Sequence, residues 1–189
     1  MTKRRTCLGL AALGVILMLG ATPALAQSAF GFSLGATNAD LRGVDVSSRW
    51  GGTIGIFGSF LVNPNLLVAL EGNWTQKGAQ DVKIEYVEIP LLLGGVLPVG
   101  GGVGVRAYGG VEVGFKTSCS TDSGTQLTCD GVNSTVWSIP FGLLVGKTST
   151  SGIYTGLDIR YSVTLTDTFT NVSSVYNRTW YFRFLVGKG

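Results

Sequence analysis

The stretch from Leu66 to Gly95 constrains the fold most, because polarity alternates along two arms around a polar tip at residues 77–81. On the first arm, the apolar parity holds Leu66, Val68, Leu70 and Trp74, and the polar parity holds Glu71, Asn73, Thr75 and Lys77. A period of two predicts strands with one apolar and one polar face. Each arm has about 12 residues, longer than a typical soluble strand and enough for a tilted strand that crosses a bilayer.

Six other segments alternate in the same way. They are residues 30–38, 50–62, 103–117, 135–147, 153–165 and 177–188. The connections at 63–65, 98–102 and 148–152 are short, whereas those at 39–49, 118–134 and 166–176 are longer, and 78–82 is the exception. Outer-membrane barrels combine short periplasmic turns with longer external loops. The pattern predicts an all-β fold, an eight-stranded antiparallel up-and-down transmembrane β-barrel spanning residues 27–189.

The alternation along the second arm of this stretch predicts which side chains face outward. We expect Val87, Ile89, Leu91 and Leu93 to point outward, and Tyr86 and Glu88 to point inward. Pro90 has no N–H to donate to a sheet, so we expect a bulge or a rim position there.

Residues 1–26 have the features of a cleaved secretory signal. These are the basic Lys3, Arg4 and Arg5, the apolar run Leu8–Leu19, and the Ala24-Leu25-Ala26 cleavage site, which predicts a mature chain from Gln27. After it, the longest uncharged run, Ile89–Val105, is interrupted by two prolines and six glycines. A closed barrel is then the way for this chain to cross a bilayer with its backbone paired.

The net charge of +3 belongs to the signal, which holds three of the 14 Lys and Arg residues and none of the 11 Asp and Glu residues. The mature chain is therefore balanced, and we expect no nucleic-acid partner. Cys7 leaves with the signal. Cys119 and Cys129 remain as a pair in an exported protein, which predicts a disulfide.

The chain contains no histidine, which removes Ser–His and Cys–His nucleophile pairs and the commonest metal ligand. Gly102-x-Gly104-x-x-Ala107 resembles a dinucleotide fingerprint but leads into a strand instead of a helix. We therefore expect no catalytic residues, no metal and no cofactor.

Charged residues on the polar parity of the strands are expected to face the barrel interior. They are Glu71, Glu88, Arg106, Glu112, Lys116, Asp158, Arg160 and Arg183. An eight-stranded barrel is just wide enough for side chains to fill, and buried charges must be paired. Four acids and four bases predict one balanced ion network that plugs the lumen.

All four tryptophans lie near strand ends that adjoin the longer loops. They are Trp50, Trp74, Trp137 and Trp180. This placement predicts an aromatic girdle at the outer membrane–water interface.

The chain resembles small outer-membrane β-barrel domains of the PorT-like and OmpX-like kind. The resemblance rests on Tyr86-x-Glu88-Ile89-Pro90-Leu91-Leu92-Leu93, on Asn73-x-x-x-Lys77-Gly78 and on Gly156-Leu157-Asp158-Ile159-Arg160-Tyr161. It implies the outer membrane of a diderm bacterium, with membrane lipid and the barrel assembly machinery as partners. Members are linked to envelope integrity, adhesion or secretion. Such barrels usually end on an aromatic residue, whereas this chain ends Val186-Gly187-Lys188-Gly189.

Four functions fit these features to different degrees. The first is a non-enzymatic outer-membrane barrel whose external loops contact an unknown extracellular or envelope partner. The second is a narrow porin-like channel, and the third is a membrane-embedded enzyme that acts on lipid. The fourth is a soluble periplasmic lipocalin-like barrel that binds a ligand, whose apolar face would point inward and whose charges would point outward.

Overall fold

Eight antiparallel strands run up and down in chain order, and the last pairs with the first to close a barrel. They are β1 (Ser28–Arg42), β2 (Arg49–Asn63), β3 (Leu66–Ala79), β4 (Val82–Gly100), β5 (Val103–Thr121), β6 (Thr135–Thr148), β7 (Ile153–Thr164) and β8 (Tyr176–Lys188). This computed structural model describes residues 28–43, 46–80, 82–121, 129, 131–170 and 175–189. Within those residues no helix is long and apolar enough to span a bilayer. The expected all-β barrel is confirmed, and the proposed signal lies outside the described residues.

The barrel has two distinct ends. The loop end carries the connections β1–β2, β3–β4, β5–β6 and β7–β8, and the turn end carries the other three connections and both ends of the described chain. Several strands extend further toward the loop end than expected, because backbone pairing continues through polar residues. Asp40 still pairs with Arg178, for example, although the alternation ends at Asn38.

The apolar parity of each strand points outward. On β4, Val87, Ile89, Leu91 and Leu93 are exposed whereas Tyr86 and Glu88 are buried, as expected from the sequence. Exposed large apolar side chains lie on the outside of seven strands, from Phe32 on β1 to Phe184 on β8, and the outward apolar side chains of β3 are half-buried. This arrangement is the reverse of what a soluble lipocalin-like barrel requires, so that alternative was wrong.

Pro90 lies in the middle of the wall and not at a rim. Its side of β4 faces the interior, and it pairs in register with Glu112 on β5. Toward β3, the ladder lacks the two pairs between Leu70–Leu91 and Asn73–Glu88, although the register does not change. The missing N–H of proline is therefore accommodated by a gap. The expectation of a bulge at Pro90 was wrong, and the register of the β4–β5 pair shifts instead at Glu85/Tyr86 and at Pro98/Gly100.

The interior is layered along the barrel axis. From the turn end to the loop end, the inward side chains of β3 are Leu67, Ala69, Glu71, Asn73, Thr75, Lys77 and Ala79. The turn-end apolar layer comprises Ala29, Phe57, Leu67, Ala69, Leu92, Tyr108, Leu144, Tyr154 and Leu185. The loop-end apolar layer comprises Leu41, Ala79, Val82, Ile84, Tyr86, Val132, Val136, Phe169 and Val175. The buried charges lie between these two layers.

The outward orientation gives a matched test on β7. Ile159, at mid-strand, and Ile153, at the turn end, are 50% and 52% exposed on the same face. We expect Ile159→Arg to lower the free energy of unfolding by about 2–4 kcal/mol and Ile153→Arg by about 0–1 kcal/mol, because the cost of a cation on the lipid face depends on depth. Urea titration of the protein in lipid vesicles measures both. Equal losses would contradict a transmembrane position for β7.

Candidate functional site

Two arginines and two carboxylates cross the lumen in a group that we call the Arg160 cluster: Glu71, Asp158, Arg160 and Arg183. Arg160 donates to both oxygens of Glu71, at 3.0 Å from Nη1 and 2.7 Å from Nη2. Arg183 donates to Asp158 Oδ2 at 2.9 Å from Nε and 2.7 Å from Nη2, and to Glu71 Oε2 at 2.8 Å. All four side chains are buried. The cluster joins β3, β7 and β8 through paired charges, the arrangement in which buried ions are tolerated.

Tyr108 attaches β5 to the Arg160 cluster. Its hydroxyl donates to Asp158 Oδ1 and accepts from Arg160 Nε at 3.0 Å. Gly142 on β6 makes this possible, because a Cβ at that position would lie 2.7 Å from the Tyr108 hydroxyl oxygen. The absence of a side chain at Gly142 therefore leaves room for the Tyr108 hydroxyl to reach its partners.

A second group, the Lys77 cluster, lies nearer the loop end and comprises Lys77, Glu88 and Glu112. Lys77 Nζ forms an ion pair with Glu88 and lies 3.5 Å from Glu112 Oε1. Tyr181 donates to Glu88 Oε2 at 2.9 Å, and Ser162 donates to Glu112 Oε1 at 3.2 Å. Glu112 Oε2 has no hydrogen-bond partner. With every group ionised, this buried cluster carries two negative charges against one positive charge.

The structure brings six of the eight expected lumen residues into the two clusters and leaves Arg106 and Lys116 outside them. Arg106 lies near the turn end, with its guanidinium 5.1 Å from the centre of the Tyr154 ring. Lys116 lies near the loop end and donates to the carbonyl of Val132 at 2.6 Å. The sequence correctly predicted that both side chains lie on the inward face of β5, but their positions along the strand place them beyond the two clusters.

Sequence reasoning missed Lys77 as a member of the interior network. The residue has the inward parity of β3, but we assigned it to the polar tip because the strand was expected to end there. β3 continues to Ala79, so Lys77 is a buried wall residue. The even spacing of Glu71, Asn73, Thr75 and Lys77 was the signal that could have placed it.

Described residues of two connections pack over the loop end of the lumen. Val132 from the β5–β6 connection and Phe169 from the β7–β8 connection form a β-bridge and belong to the loop-end apolar layer. Asn133 N donates to Thr168 O at 2.9 Å, and Thr170 N donates to Gly131 O at 2.6 Å. A disulfide joins Cys119 to Cys129, with Cα atoms 5.8 Å apart. We call this covered surface the loop-end cap.

The four tryptophans are on the outside of the barrel toward the loop end. Trp50 and Trp180 both pair with Asn38, so they lie at one level on either side of β1. Trp180 packs against Tyr161 in a tilted arrangement with 4.7 Å between ring centres, and the ring centres of Trp50 and Phe182 are 6.1 Å apart. Trp50, Trp137 and Trp180 are exposed, whereas Trp74 is half-buried beside Ile54.

The closed barrel, its apolar exterior and its charged interior agree with one family of proteins. The family model described as outer membrane protein beta-barrel domain matches residues 10–186. This chain belongs to that family. Membership of this family locates the barrel in the outer membrane of Gram-negative bacteria, in contact with membrane lipid. No curated protein sequence matches the chain.

Solved structures of outer-membrane proteins have a similar fold. Neisserial surface protein A is 16% identical, with a TM-score of 0.54 over 86% of this chain and 99% of the other. The attachment invasion locus protein Ail of Yersinia pestis is 12% identical, with a TM-score of 0.49 over 85% of this chain and 99% of the other. OprG of Pseudomonas aeruginosa is 12% identical, with a TM-score of 0.49 over 85% and 91%. At 16% identity, the similarity to Neisserial surface protein A shows the fold alone.

The charge imbalance in the Lys77 cluster gives a pair of contrasting variants. Lys77→Met leaves two buried carboxylates without their cation, and we expect it to lower the free energy of unfolding by about 3–5 kcal/mol. Glu112→Gln keeps the shape and removes the surplus negative charge, so we expect a change within about 1 kcal/mol. Urea unfolding in vesicles measures both. A loss in Glu112→Gln as large as that in Lys77→Met would show that the cluster requires both carboxylates.

Proposed function

We propose that this protein is a non-enzymatic outer-membrane barrel with a sealed lumen, which acts through the surface at its loop end. The observation that carries the proposal is the filling of the interior. An apolar layer lies at each end of the lumen, and the Arg160 and Lys77 clusters lie between them. With the middle of the barrel filled, the loop-end cap is the surface that meets the surroundings outside the cell.

The contacts within the clusters support a sealed lumen over a porin-like channel. Arg160 reaches from β7 to Glu71 on β3, and Tyr181 reaches from β8 to Glu88 on β4. These interactions span the lumen instead of lining it. The space against the turn-end side of the Arg160 cluster is a void of about 30 Å³, which is the share of liquid volume of about one water molecule.

The same contacts favour a structural role for the acidic residues. Glu71 and Asp158 have arginine partners, Glu88 has Lys77, and all of these groups are buried. A general acid or base must reach the atom that it protonates or deprotonates, and carboxylates enclosed in this way have no route to a lipid substrate. The chain also has no histidine.

The disulfide and the contacts between loops support the loop-end cap as the contact surface. The bridge closes a segment between residues separated by 10 positions, and in the loop-entropy model such a closure removes roughly 2.5–3 kcal/mol of chain entropy. A barrel held by eight paired strands does not need that constraint to fold. We infer that the bridge orders the β5–β6 connection for an extracellular or envelope partner.

Three further proposals concern how the barrel reaches and occupies the membrane. The signal at residues 1–26 is cleaved on export. The barrel assembly machinery then inserts the chain. The band formed by Trp50, Trp137 and Trp180, with Trp74 at its edge, lies at the outer interface, where indole rings are favoured.

Replacing the outer segment tests the function without a known partner. In the native host, residues 120–128 are exchanged for a Gly-Ser linker of equal length, and this strain is compared with a strain that lacks the whole protein. We expect the linker strain to reproduce the defects of the deletion strain in envelope integrity and surface attachment, because the loop end carries the function. A heat-modifiable band in the outer membrane confirms that the variant barrel is inserted. A linker strain that behaves as wild type, beside a defective deletion strain, would place the function elsewhere in the barrel.

A further inference from the structure

The turn end of the barrel contains a cavity that lies outside the two charged clusters. It has a volume of about 810 Å³ and is lined by Ala29, Leu61, Val96, Arg106, Tyr154 and Lys188, among others. We call it the turn-end cavity. Its volume is within the range of small-molecule sites. The turn-end apolar layer and the 30 Å³ void separate it from the Arg160 cluster, so it is a closed-ended pocket.

The charged side chains that line the turn-end cavity are of one sign. Its lining includes Arg106 and Lys188 and no acidic side chain. Among the described residues Arg106 forms no ion pair, in contrast to Arg160 and Arg183, which both hold carboxylates. Its guanidinium lies over the Tyr154 ring at 5.1 Å, which fixes the cation beside an apolar surface.

Tyr154 borders the same cavity with its ring and not with its hydroxyl. The side chain is 1% exposed, and its hydroxyl oxygen is enclosed without a hydrogen-bond partner. The ring is therefore the part of Tyr154 that a ligand beside Arg106 would contact. Gly146 lets the tyrosine lie flat against the wall, because a Cβ at that position would overlap the ring. The cavity therefore keeps its volume although it holds a large aromatic residue.

The remaining lining is apolar. Leu61 and Val96 pack against the turn-end apolar layer and are only partly buried, so their free faces border the cavity together with Ala29. The Arg106 guanidinium can donate two parallel hydrogen bonds to the two oxygens of a carboxylate. The apolar wall beside them matches a hydrocarbon chain.

We propose that the turn-end cavity binds an apolar monocarboxylate of medium chain length. The carboxylate accepts hydrogen bonds from Arg106, and the chain lies along Leu61 and Val96. The site opens at the turn end, so it takes its ligand from the periplasm. This binding is independent of the loop-end function proposed above.

Octanoate is a suitable probe, and octanol of the same chain length is its matched control. The protein is purified from outer membranes and placed in nanodiscs of zwitterionic lipid, and binding is measured by equilibrium dialysis against empty nanodiscs. We expect saturable octanoate binding by the wild type. Arg106→Gln should weaken octanoate binding about tenfold or more, because a charged hydrogen bond is lost, and should change octanol binding less than about twofold. Arg42→Gln removes an exposed arginine at the opposite end and should leave both unchanged.

Several outcomes would overturn the proposal. Octanoate uptake that does not saturate above empty nanodiscs would indicate partition into lipid alone. Equal losses in Arg106→Gln and Arg42→Gln would indicate a general surface-charge effect, and equal losses of octanoate and octanol in Arg106→Gln would indicate altered packing. A wild-type measurement does not depend on any variant folding. Nuclear Overhauser effects should connect octanoate methylenes to the methyl groups of Leu61 and Val96, and their absence would also reject the site.

Discussion

Pairing of buried arginines with carboxylates across the lumen is the interaction on which the rest of this barrel depends. Each charge would be costly to bury alone, and the cost is met because donors and acceptors come from opposite walls. Arg183 on β8 reaches both Asp158 on β7 and Glu71 on β3. Glu71 in turn holds Arg160. Strands distant in sequence are thus fixed relative to one another in the centre of the barrel, where no backbone pairing can reach.

The distribution of polarity follows from the membrane as a solvent. The outward face must be apolar because lipid offers no hydrogen bonds, so the polar residues of an alternating strand have only the interior to occupy. Eight strands enclose too little space for a water column. The interior side chains must then satisfy one another, and the two charged clusters, separated from each end by an apolar layer, are the result. Position along the strand decides which charges join them, which is why Arg106 remains free to face the turn-end cavity.

The sequence alone predicted the closed barrel, the facing of each strand and the disulfide, because alternation and cysteine pairing are local signals. It predicted less well where strands end. Lys77 was assigned to the polar tip of the hairpin although it is buried in the wall, and Pro90 was expected at a bulge or a rim although a gap in the ladder accommodates it. Both depend on how neighbouring strands align, as do the exclusion of Arg106 and Lys116 from the clusters and the contact of Val132 with Phe169. These alignments are properties of the closed sheet and have no signature in a single strand.

The central claim is that side chains close the lumen between its two apolar layers, and single-channel recording tests it most directly. Pure protein, shown to be folded by its heat-modifiable mobility, is inserted into a planar bilayer beside a porin as a positive control. A lumen filled by the Arg160 and Lys77 clusters between two apolar layers predicts no stable conductance steps at any holding potential that the porin bilayer withstands. Uniform, long-lived steps from the pure protein would contradict the account and favour a channel.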